Sequence, residues 1–250
     1  LLVYSGQIVP VSAMMRELWN EDPPLSGLPT LQTYVLNVRK LLSAVTGLTA
    51  AEVSREVLVT KSGGYVLHDG AGALDVRRYH ALVSSGREAL SNGHDEIGVR
   101  RMTEALRLWR GPALVDVQVG PVLESKRRQY EESRLVVLDY LVDAELRLGM
   151  YREVLTELVA LTVENPLHEG MHAQYMRALY LSGRRAQALE VFHGLRNSLV
   201  RELGLEPGPP VQRLHQAILN ADDNVQDHLR IDRPLGDIVR TSVGGNARPY

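Results

Sequence analysis

The chain has 250 residues, 44% hydrophobic and 23% charged, which is the composition of a soluble globular protein of one large or two ordinary domains. It has no cysteine, which excludes a disulfide framework, a cysteine-based metal site and a thiol nucleophile. Its net charge is −2 and no apolar run reaches the roughly 18 residues of a membrane helix, so neither a whole-chain basic footprint nor a membrane span is expected.

Residues 1–4 read as the last turn of a helix, ended by Gly6, and residues 7–10 as a short extended link. Ser12 offers an N-cap for a helix over 13–19, and the NEDPP run at 20–24 turns the chain. The stretch PTLQTYVLNVRKLL at 29–42 predicts a longer helix. Leu31, Val35, Val38 and Leu42 recur at helical spacing and form its apolar face. Gln32, Thr33 and Asn37 are polar and short, and with Tyr34 they have the chemistry to reach base edges or phosphates. Arg39 and Lys40 lie near the C-terminal end, where cations suit the helix dipole and can meet phosphate. Two readings stay open here: a recognition helix in a DNA major groove, or an ordinary surface helix.

Short helix, turn, longer helix is the layout of a helix-turn-helix. Two β-type runs, 57–60 and 65–67, then flank Lys61-Ser62-Gly63-Gly64, whose glycines permit a tight hairpin. A helix-turn-helix followed by a hairpin is a winged helix, with Lys61 at the wing tip placed for a phosphate or a minor groove. A plain surface turn is the alternative. Residues 1–70 hold five cations against six carboxylates, a net −1, so DNA binding would need well-placed charge.

From Asp75 the pattern is helical almost without strands. Helices are expected over 75–92, with Asp75 as its cap, and over 95–109, stopped by Gly111-Pro112. Further helices follow at 121–148, ended by Gly149, and at 151–164, 169–181, 185–203 and 211–220. The segments LRLGMYREVL (146–155) and YLSGRRAQAL (180–189) are offset by 34 residues, with Gly149 and Gly183 in register, and LSNGHDEIGV around Gly93 echoes them. Paired helices at this period are the tetratricopeptide signature, and such arrays usually bind another protein. An irregular bundle is the alternative. Residues 223–250 are polar and patternless, as in a flexible tail.

His168-Glu169-Gly170-Met171-His172 is a literal H-E-x-x-H, with Glu190 available as a third zinc ligand. Gly170 inside the motif and Asn165-Pro166 before it favour a helix start over a rigid zinc helix. Phosphate-loop, dinucleotide-loop and nucleophile-elbow motifs are missing, so no catalytic residue, no metal and no cofactor is expected. Trp109-Arg110-Gly111-Pro112 reads as a packing tryptophan and a helix stop. Lys126-Arg127-Arg128, with Glu124, Glu131 and Glu132 around it, reads as a solvated helix face.

The chain resembles the Streptomyces antibiotic regulatory protein (SARP) family of transcriptional activators, in its small pathway-specific type. The matching segments are ELWNEDPP (17–24), TLQTYVLNVRKLL (30–42), TKSGGYVL (60–67), LRLWRGPALVDV (106–117), ESRLVVLD (132–139), NPLHEGMHAQYMRALYLSGRRAQALEVF (165–192) and LVRELGLEPGPPVQRLH (199–215), in family order. The resemblance implies a mainly α protein. It would have an OmpR-type winged helix over 1–70 and an all-α, tetratricopeptide-like bacterial transcriptional activation domain over 75–220. It also implies a cytoplasmic activator of an antibiotic gene cluster that binds promoter direct repeats as two side-by-side copies and engages RNA polymerase and its sigma factor. By the same carry-over the 29–42 helix enters the major groove and the 60–65 turn is the wing. Thr30, Ser62 and Gly63 thereby join Gln32, Thr33, Tyr34, Asn37, Arg39, Lys40 and Lys61 as the expected DNA-contacting set. The resemblance also implies a small antiparallel sheet and most of a first helix ahead of Leu1, either cut from the chain or not represented in these residues; without them, apolar faces of the other two helices are expected to be exposed. A protein-binding adaptor without DNA binding is the alternative function.

Overall fold

The computed structural model describes residues 1–70 and 74–221, so the expected tail at 223–250 lies outside the described residues. The chain divides into two compact units, the first Leu1–Leu148 and the second beginning at Gly149.

The first unit opens with a single 3₁₀ turn, Leu2–Tyr4, and then a strand, β1 (Ile8–Pro10), where the sequence suggested only a link. α1 (Val11–Trp19) starts directly after Pro10. Ser12 therefore lies inside the first turn and is not the cap. Asn20, at φ 56, ends α1, and the longer helix α2 (Gly27–Thr46) extends beyond the expected range at both ends. A one-turn helix, α3 (Ala50–Glu52), is held by a Thr49–Glu52 capping box and runs on as a π-helical segment, Val53–Val57. The hairpin of β2 (Leu58–Lys61) and β3 (Gly64–Leu67) closes through Ser62 and Gly63.

β3 is the central strand of an antiparallel sheet ordered β1-β3-β2, with Val9 opposite Tyr65 and Pro10 opposite Gly64. All four β3 residues are buried. Val9, Met14, Leu31, Val35, Leu58, Tyr65 and Leu67 form the core that joins sheet, α1 and α2, with Trp19 and Leu42 packed at its edge.

α4 (Asp75–Ser91), α5 (Asp95–Leu106) and α6 (Pro121–Arg147) complete the first unit around Tyr79, Val83, Met102, Ala105, Val137 and Leu141. Asp75 is the first helical residue, not the cap, which is Leu74. There the carboxylate suits the helix dipole. α5 stops three residues before Trp109, whose ring meets Tyr79 edge-on at 5.7 Å while Arg134 stacks over it at 5.3 Å. The loop that follows is pinned to α6 by Ala113, whose N–H donates to Glu131 Oε1 at 2.6 Å.

The second unit holds α7 (Tyr151–Glu164), α8 (Glu169–Leu181), α9 (Arg185–Leu203) and α10 (Pro209–Leu219). α10 begins on Pro209, ahead of the expected start, because proline suits the first helical turn. Gly93, Gly149 and Gly183 share a left-handed backbone, at φ 76, 78 and 77. Three equivalent reversals between consecutive helices thus need the same permissive residue, which is the structural form of the repeat. Val154 and Ala188, also 34 residues apart, are both fully buried.

Candidate nucleic-acid interface

α2 is held by Leu31 and Val35, 4% and 5% exposed. Two apolar positions of the expected stripe behave differently. Leu42 is packed at the core edge, but Val38 is 39% exposed. Val38 belongs to a second stripe, Tyr34, Val38, Leu41 and Val45 at helical spacing, which the described residues leave uncovered.

Helix geometry sorts the polar candidates. Thr33, Asn37 and Lys40 share the face turned away from the core, and all three are exposed. Gln32 is also exposed, seven residues from Arg39 and so on its flank. Tyr34 lies on the opposite flank, with the uncovered apolar stripe. Thr30 is half-buried. Its hydroxyl donates to Ser26 O at 2.8 Å, and that of Thr33 donates to Pro29 O at 3.0 Å. Each hydroxyl proton is thus used within the helix, while the oxygen keeps an acceptor lone pair. Leu36, 51% exposed, sits on the outward face between Thr33 and Lys40. The sequence alone carries no sign of this, because an apolar residue at helical spacing ordinarily belongs to a core.

Arg39 has an unexpected set of partners. Its guanidinium donates to Leu58 O from Nε at 3.0 Å and from Nη2 at 2.7 Å, and to Thr60 Oγ1 at 2.9 Å. The side chain clamps α2 to strand β2, one residue before the wing tip. Lys61, Ser62 and Gly63 are exposed at that tip. Gly64 follows from close packing: a Cβ there would lie 2.4 Å from Val9 O. Glycine thus lets β1 approach the hairpin, so β1 is joined to the wing, and Arg39 joins the wing to α2.

The remaining polar groups of note have structural partners. Hydrogen bonds from Arg127 and then Arg128 hold the Glu124 carboxyl at about 2. Lys126 bonds Gln129 and lies 5.1 Å above the Tyr4 ring. Hydrogen bonds from Ser5 and Arg77 hold Asp69 below its ordinary value. In the H-E-x-x-H segment His168 is the N-cap of α8, accepting from Met171 N at 3.1 Å, and Glu169 accepts from Gly208 N at 2.6 Å. His172 is buried, 8% exposed, which pushes its pKa down. Among the described residues no cluster of histidine and carboxylate side chains is arranged to hold a metal ion, and no helix is long and apolar enough to cross a membrane.

A helix-turn-helix closed by a three-stranded sheet and a wing, followed by paired helices, is the build of a bacterial transcription regulator. Residues 74–219 match the bacterial transcriptional activator domain. The chain belongs to the SARP family of transcriptional activators, which carries this domain. It is 44% identical to the regulatory protein DnrI of Streptomyces peucetius over 90% of this chain and 83% of DnrI. It is 38% identical to the regulatory protein AfsR of Streptomyces coelicolor over 89% of this chain, but spans only 21% of AfsR. Among solved structures, Mycobacterium tuberculosis EmbR in complex with a low-affinity phosphopeptide superposes with a TM-score of 0.82 at 31% identity, covering 91% of this chain and 59% of EmbR.

Proposed function

We propose that this chain is a sequence-specific DNA-binding activator of an antibiotic biosynthetic gene cluster. Residues 1–70 would bind promoter direct repeats as two side-by-side copies, and residues 75–220 would engage RNA polymerase and its sigma factor, in the cytoplasm. The observation that carries the reading is the Arg39 clamp. It fixes the wing tip beside a helix whose outward residues Thr33, Asn37 and Lys40, with Gln32 on the flank, are exposed. A helix and a wing held in one piece can present base-reading groups and phosphate-binding cations in a fixed register.

The chemistry divides the face. Lys40 and Lys61 are point charges suited to phosphate. Gln32 has an amide, the group that pairs bidentately with adenine. Thr33, with its proton engaged, offers an acceptor for an exocyclic amino group.

Two variants separate these roles in a titration of operator and scrambled duplexes. Lys61→Ala weakens both alike and reduces the salt slope by about one. Gln32→Ala removes about 1–3 kcal/mol of discrimination between them and leaves the slope unchanged. A wild-type protein that binds neither duplex would instead support a protein-binding adaptor.

A further inference from the structure

The long helix α6 begins without a cap of its own. Its N-cap is Gly120, which has no side chain, and Pro121 follows with no N–H. Yet the exposed donors of this helix start are satisfied, by a residue of the winged helix. Glu17, on α1, accepts from Gly120 N through Oε1 at 2.6 Å and from Val122 N and Leu123 N through Oε2 at 2.9 and 3.0 Å. A carboxylate at a helix N-terminus gains from both the charge-assisted bonds and the dipole. Close approach needs the glycine: a Cβ on Gly120 would stand 2.1 Å from Glu17 O and 2.9 Å from its carbonyl carbon, backbone atoms of α1 that have no room to yield.

Two further contacts join the same parts. Arg77 of α4 bonds Asp69 at 2.7 Å beyond the wing, and Lys126 of α6 covers Tyr4. Glu17 differs from these in its position. α1 packs through Met14 and Trp19 into the core that also holds Leu31 and Val35 of α2. Glu17 thus links the start of α6 to the helix that shares a core with α2.

We propose that Glu17 is a positioning residue: its carboxylate on the start of α6 fixes the outward-facing helix α2 relative to α6, so that DNA reading and activation are coupled. The functional half of this rests on the DNA-binding reading above; the geometric half does not.

The chain has no cysteine, so labels can be placed cleanly. Ala44→Cys on α2 and Glu132→Cys on α6 are exposed positions for a spin-label pair, measured by pulsed dipolar spectroscopy on the full chain without DNA. The Glu17 protein gives one narrow distance distribution. Glu17→Ala broadens or shifts it. Glu17→Gln, which keeps the length and one acceptor oxygen, falls between the two and carries the comparison if the alanine variant loses helix content. In transcription from a promoter with tandem operators, Glu17→Ala keeps its operator affinity while activation falls roughly tenfold, a coupling loss of ordinary size. Distributions identical in all three proteins overturn the latch. A broadened distribution with unchanged activation, or activation that falls only in step with DNA affinity, overturns the coupling. Absence of duplex binding by the Glu17 protein would instead sink the DNA reading, which the label distances do not depend on.

Discussion

Gly64→Val is expected to unfold the winged helix and abolish duplex binding. The position lies in the central strand, opposite Pro10 on one side and Lys61 on the other. An added Cβ would meet Val9 O at 2.4 Å, Val9 C at 3.0 Å and Ile8 Cγ2 at 3.0 Å. Two of these three atoms are backbone, so relief requires β1 to leave β3. That movement breaks a register of only three pairs and opens the core at Val9 and Tyr65. Overpacking against backbone is expected to cost at least about 3 kcal/mol, at the upper end for such changes. Denaturant unfolding and duplex titration on the same sample measure both effects. Unchanged stability would contradict the close β1–β3 approach.

Arg39→Ala is expected to weaken binding to every duplex, and Arg39→Lys is expected not to rescue it. The guanidinium makes two bonds to the Leu58 carbonyl and one to Thr60. Leu58 is itself fully buried, so the carbonyl loses a charged donor with little water to replace it. Such a loss costs about 1–3 kcal/mol of stability. The same change frees β2 from α2 and lets the wing move relative to the helix. Lysine restores the positive charge, but not a planar fork that can hold carbonyl and hydroxyl together. A lysine variant with full affinity would show that Arg39 acts on phosphate alone. Operator titration of both variants, alongside thermal unfolding, separates the two roles.

The helical skeleton was legible because periodicity and breakers are local. Leu31 and Val35 marked the inner face of α2, and Gly149 and Gly183 marked equivalent turns. What escaped depends on partners far along the chain. Ile8, Val9 and Pro10 are too few to show a strand's alternation, and their pairing partner is β3. Val38 fitted the inner stripe by spacing, but spacing gives a direction on the helix and not what lies there; the side chain is exposed. Arg39 was read from its charge, whereas its bonds go to a carbonyl and a hydroxyl on β2. Glu17 gave no signal at all, since its partners are backbone N–H groups more than a hundred residues away. The Gly120-Pro121 pair, a helix start unable to cap itself, was the one available clue.

DNA binding by this chain is tested most directly by a salt titration of the intact protein on duplexes from the promoters of its own gene cluster. Duplexes bearing direct repeats are expected to bind more tightly than scrambled ones, with log K falling linearly against log salt by about 0.9 for each phosphate neutralised. Binding to no duplex at low salt, or an affinity that neither salt nor sequence changes, would contradict it.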